Sequence, residues 1–176
     1  MKEYLSLLAD YNAYVNRELY AIVAKIPESD RMREVGSFHK SIFGVLSHIY
    51  FSDIGWLRRF KEKVGTYKAL AIPELEGAPH QWGVLMFKDF ESLRAHRPVL
   101  DGVIKQFVAE IPDADLPKVF TYANFRGAQR TLAFWQALVH FFNHQTHHRG
   151  AVSEILDEMK VTNDYSGLVE MLNAPA

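Results

Sequence analysis

Residues 4–26 read YLSLLADYNAYVNRELYAIVAKI. Tyr4, Leu8, Tyr11, Val15, Leu19, Ile22 and Ile26 recur along this stretch at steps of three and four, the spacing that gathers side chains on one side of a helix. The stripe predicts a helix that hides one face in a bundle. Pro27 should stop it, because proline has no amide hydrogen to carry the ladder onward. Residues 28–36 are polar, and Ser37 is placed to cap a second helix along which Ile42, Leu46, Ile49, Trp56 and Phe60 keep the same spacing. Asp53 falls inside that stripe. A carboxylate on an apolar face is either hydrogen-bonded in the core or a functional group.

Residues 65–83 carry Pro73, Gly77 and Pro79 among scattered apolar residues, which predicts a long connection able to cross the bundle. A third helix over 84–111 would turn Phe87, Phe90, Leu93, Leu100, Ile104 and Phe107 inward, with Pro98 kinking it. Pro112 and Pro117 end that pattern, and 118–131, weakly alternating and holding Gly127, reads as a short hairpin or an irregular loop. A fourth helix over 132–159 and a short last helix near 165–172 complete the chain. The expectation is an all-α, up-down four-helix bundle with a long crossover connection and a short C-terminal helix, as one domain over 1–176, with no internal repeat.

Composition narrows the function. A chain of 176 residues that is 48% hydrophobic can bury one large core. Twenty Lys and Arg against 21 Asp and Glu leave a formal charge of −1, so no bulk attraction draws it to nucleic acid or to anionic lipid. The absence of cysteine excludes disulfides, thiolate ligands and an internal sulfur nucleophile. The opening residues lack the continuous apolar run of a secretory signal, and 131–142, the most apolar segment, is shorter than a bilayer span and contains Gln136 and His140. The expected location is cytoplasmic, with no nucleic-acid partner and no membrane partner.

Half of the eight histidines, His140, His144, His147 and His148, lie within nine residues of the fourth helix. Residues four apart are neighbours on a helix face, so His144 and His148 can aim at one ion. His140 and His148 stand about 12 Å apart at 1.5 Å per residue, too far to share a metal at bonds of about 2 Å. A third ligand must come from another helix. His48, in the middle of the second, is the first candidate and His39 the weaker alternative. Three neutral imidazoles plus solvent describe an open site for Zn²⁺ or a late first-row ion such as Ni²⁺. A histidine pair at this spacing also arises by chance, and buried histidines often only complete hydrogen bonds. His147 and His140 suit pocket-lining roles better than direct ligation, and Arg149 is expected to be solvated or ion-paired. No H-E-x-x-H, E-x-x-H, G-x-S-x-G or glycine-rich phosphate loop occurs, which leaves metal-assisted chemistry.

The segment NHQTHHRG, residues 143–150, closely resembles a signature of the DinB/YfiT-like family (the DinB superfamily), whose members are read as metalloenzymes. ADYNAYVN with Asn12 and Asn16, and SIFGVLSHIYFSDIGWLRRF with His48, resemble two further motifs of that family. The resemblance implies a four-helix bundle with a long crossover and a metal held by His48, His144 and His148. It also implies chemistry with a low-molecular-weight thiol as cosubstrate, of transferase or hydrolase type on a small-molecule substrate, and a homodimer. One departure stands out: Ala151 follows HHRG where relatives commonly have Gln. Metal activation of bound water or thiol is the first reading, with His147, Asp53 or His140 as proton shuttle. A non-catalytic metal-binding or ligand-binding bundle is the alternative, and a bundle whose histidines only complete a polar core is a third reading.

Overall fold

A computed structural model describes residues 1–76, 85–124 and 126–173. The described residues form α1 (Lys2–Ala24), a five-residue α2 (Glu28–Met32), α3 (Ile42–Lys63), α4 (Phe90–Glu110), a hairpin of β1 (Val119–Ala123) and β2 (Gln129–Ala133), α5 (Phe134–Glu158) and α6 (Leu168–Asn173). The four long helices α1, α3, α4 and α5 are the expected bundle. α2 occupies part of the polar stretch after Pro27, and α6 falls at the short helix expected near the C-terminal end.

Side-chain pairs give the direction of each helix. Lys2 Nζ reaches the Ala109 carbonyl at 2.8 Å while Tyr20 stacks on Phe90 with ring centres 5.7 Å apart, so α1 and α4 run antiparallel. His48 meets His148 and Phe60 meets Phe134, so α3 and α5 are antiparallel as well. Asp53 pairs with Arg97 and Phe60 stacks on Phe107, which makes α3 and α4 parallel. Parallel consecutive helices demand a connection that travels the length of the bundle, and the stretch after α3 supplies it. It is not featureless: single 3-10 turns at Lys68–Leu70 and Pro73–Leu75 seat Leu70 and Leu75 in the core.

Several expected boundaries move, each for a local reason. The buried face of α1 is Leu5, Ala9, Asn12, Val15, Asn16, Leu19, Tyr20 and Val23, whereas Tyr4 is 49% exposed. Val15 and Leu19 of the predicted stripe lie on this face, while Asn12 and Asn16, which an apolar stripe cannot include, lie at its centre. Ser41, not Ser37, caps α3, its Oγ accepting the Gly44 amide hydrogen at 3.1 Å. α4 begins at Phe90 because Asp89 caps it, accepting from the Ser92 amide at 2.7 Å; the start expected at Val84, with residues 77–83 of the connection, lies outside the described residues. α4 runs through Pro98 without ending. The segment after Pro117 is the hairpin, paired from Val119 with Ala133 to Ala123 with Gln129. Gly127 takes a positive φ of 75° in its turn, and Asn124 Oδ1 accepts the amides of Arg126 and Ala128. Its inward residue Phe120 packs on Trp56, Phe60 and Phe134, closing one end of the bundle.

A charged network lies at the centre of the four helices. Arg97 on α4 donates from Nη1 to Asp53 on α3 at 2.6 Å and from Nη2 to Asp101 at 2.7 Å. Asp101 accepts from Asn12 and Asn16 on α1, and Arg149 on α5 donates to the Oδ1 atoms of both asparagines. Gln145 donates to Asp53 at 2.9 Å. Two cations face two carboxylates, and every member is buried. Removing one partner of such a set strands a buried charge. Arg97→Met should therefore cost about 3–5 kcal/mol, seen in thermal unfolding as a fall in Tm of roughly 10 °C; an unchanged Tm would show that the carboxylates do not depend on it.

Candidate metal centre

His48 lies in the first half of α3, and His144 and His148 project one turn apart from α5, which runs antiparallel beside it. The Nε2 atoms of His144 and His148 stand 3.2 and 3.1 Å from His48 Nε2. Ligands bound to one ion at about 2.0–2.1 Å, at angles between square and tetrahedral, are themselves separated by about 3.0–3.4 Å. Both distances from His48 Nε2 have that separation. Ser52 Oγ lies 3.5 Å from His48 Nε2, one turn further along α3.

His39 joins them from the loop before α3. The loop is closed by the Val35 amide on the Lys40 carbonyl and the Lys40 amide on the Ser37 carbonyl, with Lys40 at a φ of 69°. Its ring stacks on His48 with centres 3.9 Å apart and planes 21° apart, and lies 5.2 Å from His148. Ligand atoms of His39, His48 and His148 all fall within 4.8 Å of one another, so these three could hold a metal ion. Gly44 makes the approach possible: a Cβ there would run into the His39 carbonyl. His39 and His48 form one wall of a cleft of about 570 Å³ whose apolar lining includes Phe38, Phe43, Phe51 and Leu85.

Burial holds this cluster in the neutral form. Desolvation, followed by the neighbouring imidazoles, pushes His48 and His144 down to about 3 and His148 to about 4. His39 is lowered by burial alone. Neutral imidazole is the form that binds a metal, so no proton has to leave at neutral pH. His144 Nδ1 is buried and takes no hydrogen bond among the described residues; no carbonyl or carboxylate there fixes its tautomer.

The remaining candidates separate clearly. The exposed His147 has its ring 4.9 Å from His148, on the outer side of α5. His140 sits 6.3 Å from His144 and 5.1 Å from Trp56, its pKa lowered by burial and then by the Arg59 charge. Asp53 is fully buried, its oxygens taken by Arg97 and Gln145, and burial raises its carboxyl to about 6 against the pull of Arg97. It belongs to the central network and not to the cleft. Arg149, expected to be solvated or ion-paired, is buried with its guanidinium on the two asparagines. In the sequence His39 was only the weaker alternative to His48; the fold of the loop brings the two together.

A family model described as the DinB family matches residues 1–165. The chain belongs to the DinB family. A curated relative, Protein DinB of Bacillus subtilis (strain 168), is 26% identical over 157 residues, covering 89% of this chain and 86% of the relative. No solved structure matches. The DinB-family match runs across α1, α3, α4 and α5, and so includes all four clustered histidines.

The lowered pKa values set a pH dependence. A histidine whose folded pKa lies below its unfolded value of about 6.5 binds fewer protons when folded, so stability is full above pH 6.5 and falls as the pH drops toward the folded value. For metal-free protein the urea midpoint should fall between pH 6.5 and about 4. His148→Gln should flatten that slope; the same slope in wild type and variant would mean the imidazoles titrate normally.

Proposed function

We propose that this DinB-family protein is a metal-dependent enzyme whose single divalent ion, Zn²⁺ or Ni²⁺, is held by His48, His144 and His148. The observation that carries this reading is the 3.1 and 3.2 Å spacing of their Nε2 atoms. Such a spacing is hard to reconcile with a merely hydrogen-bonded set, since the one in-plane lone pair of His48 Nε2 serves one donor well and not two. A bound ion would lower the pKa of a coordinated water or external thiol. The chain's own part is to hold three neutral donors and to offer a cleft beside them. Its apolar wall of Phe38, Phe43, Phe51 and Leu85 suits a small molecule and limits water. His39, stacked on His48 and facing the same cleft, is better placed than His147 or His140 to accept a proton from a bound substrate.

The chemistry this reading favours is thiol-dependent transfer or hydrolysis on a small molecule; a binding protein without turnover is the second reading, and the absence of a free carboxylate in the cluster among the described residues favours it to that extent.

Metal content by inductively coupled plasma mass spectrometry tests the ligand set. Wild type should carry about one ion per chain, lost in His48→Ala, His144→Ala and His148→Ala. Gly44→Ala, which displaces the His39 loop, should leave the ion bound and impair only turnover. Metal lost in Gly44→Ala and His39→Ala but kept in His144→Ala would replace His144 by His39 in the set. A protein that takes up neither Zn²⁺ nor Ni²⁺ would end the reading.

A further inference from the structure

Arg97 spends both terminal nitrogens on Asp53 and Asp101, and its Nε, which also carries a hydrogen, has no hydrogen-bond partner among the described residues. The same is true of Tyr20 Oη on α1. Arg97 is 1% exposed and Tyr20 5%. A buried donor left without an acceptor is costly, and folded proteins keep few of them. Both residues line one groove, of about 1160 Å³, between α1 and α4. Its lining positions on each of the two helices recur at steps of three and four, so each helix contributes a single face. The antiparallel register that sets Lys2 against Ala109 and Tyr20 against Phe90 puts Arg17 about level with Arg94 toward one end, while Asp10 pairs with Lys105 at 2.8 Å toward the other. Ala13 and Gly102 lie between, with little side chain to fill the space.

The charges along the groove do not balance. Arg17, Arg94, Arg97 and Lys105 line it against Asp10 and Asp101. Asp10 is matched by Lys105, and Asp101 by Arg97 with Asn12 and Asn16. That leaves Arg17 and Arg94, whose carboxylate contacts lie at the surface: Arg17 with its neighbour Glu18, and Arg94 with Glu91, which Arg31 also holds. Exposed pairs of this kind are weak and exchange partners at little cost. Tyr14 helps to place Arg17, whose guanidinium lies over that ring at 5.1 Å.

We propose that the groove between α1 and α4 is a ligand site apart from the histidine cluster, for a small molecule bearing a carboxylate or phosphate. The anion sits between Arg17 and Arg94 and accepts from Tyr20 Oη and Arg97 Nε, and the rest of the molecule lies over Ala13 and Gly102. Arginine suits this task, because its planar fork meets either oxyanion with two parallel hydrogen bonds. Burial pushes the Tyr20 hydroxyl up from its ordinary value, so it keeps its proton and acts as a donor. The site does not depend on a metal at the imidazoles.

Titration of the full-length protein with benzoate, phenyl phosphate and benzyl alcohol, followed through amide shifts in ¹H–¹⁵N spectra, tests this in metal-free protein and in protein loaded with Zn²⁺. At least one anion should bind about tenfold or more tightly than the alcohol in both forms, the scale of a charge-assisted hydrogen bond, and should shift amides of α1 and α4. Which anion is preferred tells carboxylate from phosphate. Arg17→Gln combined with Arg94→Gln should reduce the anions to the affinity of benzyl alcohol. Tyr20→Phe should weaken them severalfold without lowering Tm, because the hydroxyl it removes has no partner in the free protein. Equal affinity for anion and alcohol, shifts confined to α3 and α5, binding that needs Zn²⁺, or an anion affinity unchanged in Tyr20→Phe would each overturn the proposal. Anion binding on α1 and α4 in a protein that takes up no Zn²⁺ would keep this site and remove the metal reading; metal uptake without anion preference would do the reverse.

Discussion

Arg97 reaches Asp53 with one nitrogen and Asp101 with another, at 2.6 and 2.7 Å, in a place that water does not reach. Buried charges of this kind rarely add much net stability over a hydrophobic core of the same shape, because desolvating them cancels most of the attraction. What they do impose is register. Arg97 can satisfy both carboxylates only if α3 and α4 run parallel with Asp53 level with Arg97. Asp101 can receive Asn12 and Asn16 only if α1 lies antiparallel beside α4. A slide of one helix by a single turn would leave at least one charge unpartnered. The long crossover between α3 and α4 is the topological consequence of that parallel pair.

The same network fixes the histidines. Gln145 and Arg149 on α5 point to Asp53 and to the two asparagines, and each directly follows a clustered histidine in sequence. An adjacent residue on a helix is turned by about 100°, so when Gln145 and Arg149 face the bundle axis, His144 and His148 are turned toward α3. Asp53 in turn lies five residues after His48. The hydrogen bond from Gln145 to Asp53 thus aligns α5 against α3 at the level where the imidazoles meet. The polar core and the candidate centre are two faces of one alignment, so a substitution in either should be read for effects on the other.

The bundle, the hairpin region and the pair His144 and His148 were legible in the sequence because each rests on local periodicity or spacing. What was illegible depended on partners far along the chain. The stripe of α1 holds for Val15 and Leu19, but an apolar pattern cannot take in Asn12 and Asn16, which lie at the centre of the buried face. Arg149 reads in sequence as solvated or ion-paired, since a charge has no reason to be buried on amides until Asn12 and Asn16, well over a hundred residues earlier, are brought to it. Asp53 could be read both ways until Arg97 was beside it. His39 sits in no regular element, and its place over His48 follows from a left-handed Lys40 and from Gly44, whose lack of a side chain admits the His39 carbonyl.

The contrast between the two polar groups carries the functional argument. In the central network each charged group faces an opposite charge or an amide, and every member is buried. The histidine cluster is built the opposite way: its members are alike, none brings a carboxylate, and two Nε2 atoms converge on His48 Nε2, which can serve one of them well as a hydrogen-bond partner and not both. Burial depresses their basicity, so protonation does not relieve the crowding near neutral pH. An arrangement of this kind is unfavourable as a hydrogen-bonded core and favourable around a cation, which turns the crowded lone pairs into a single set of bonds. The network sets opposite charges against one another and the cluster gathers like groups beside an apolar cleft, and that asymmetry is why the cluster is read as a site and the network as scaffold.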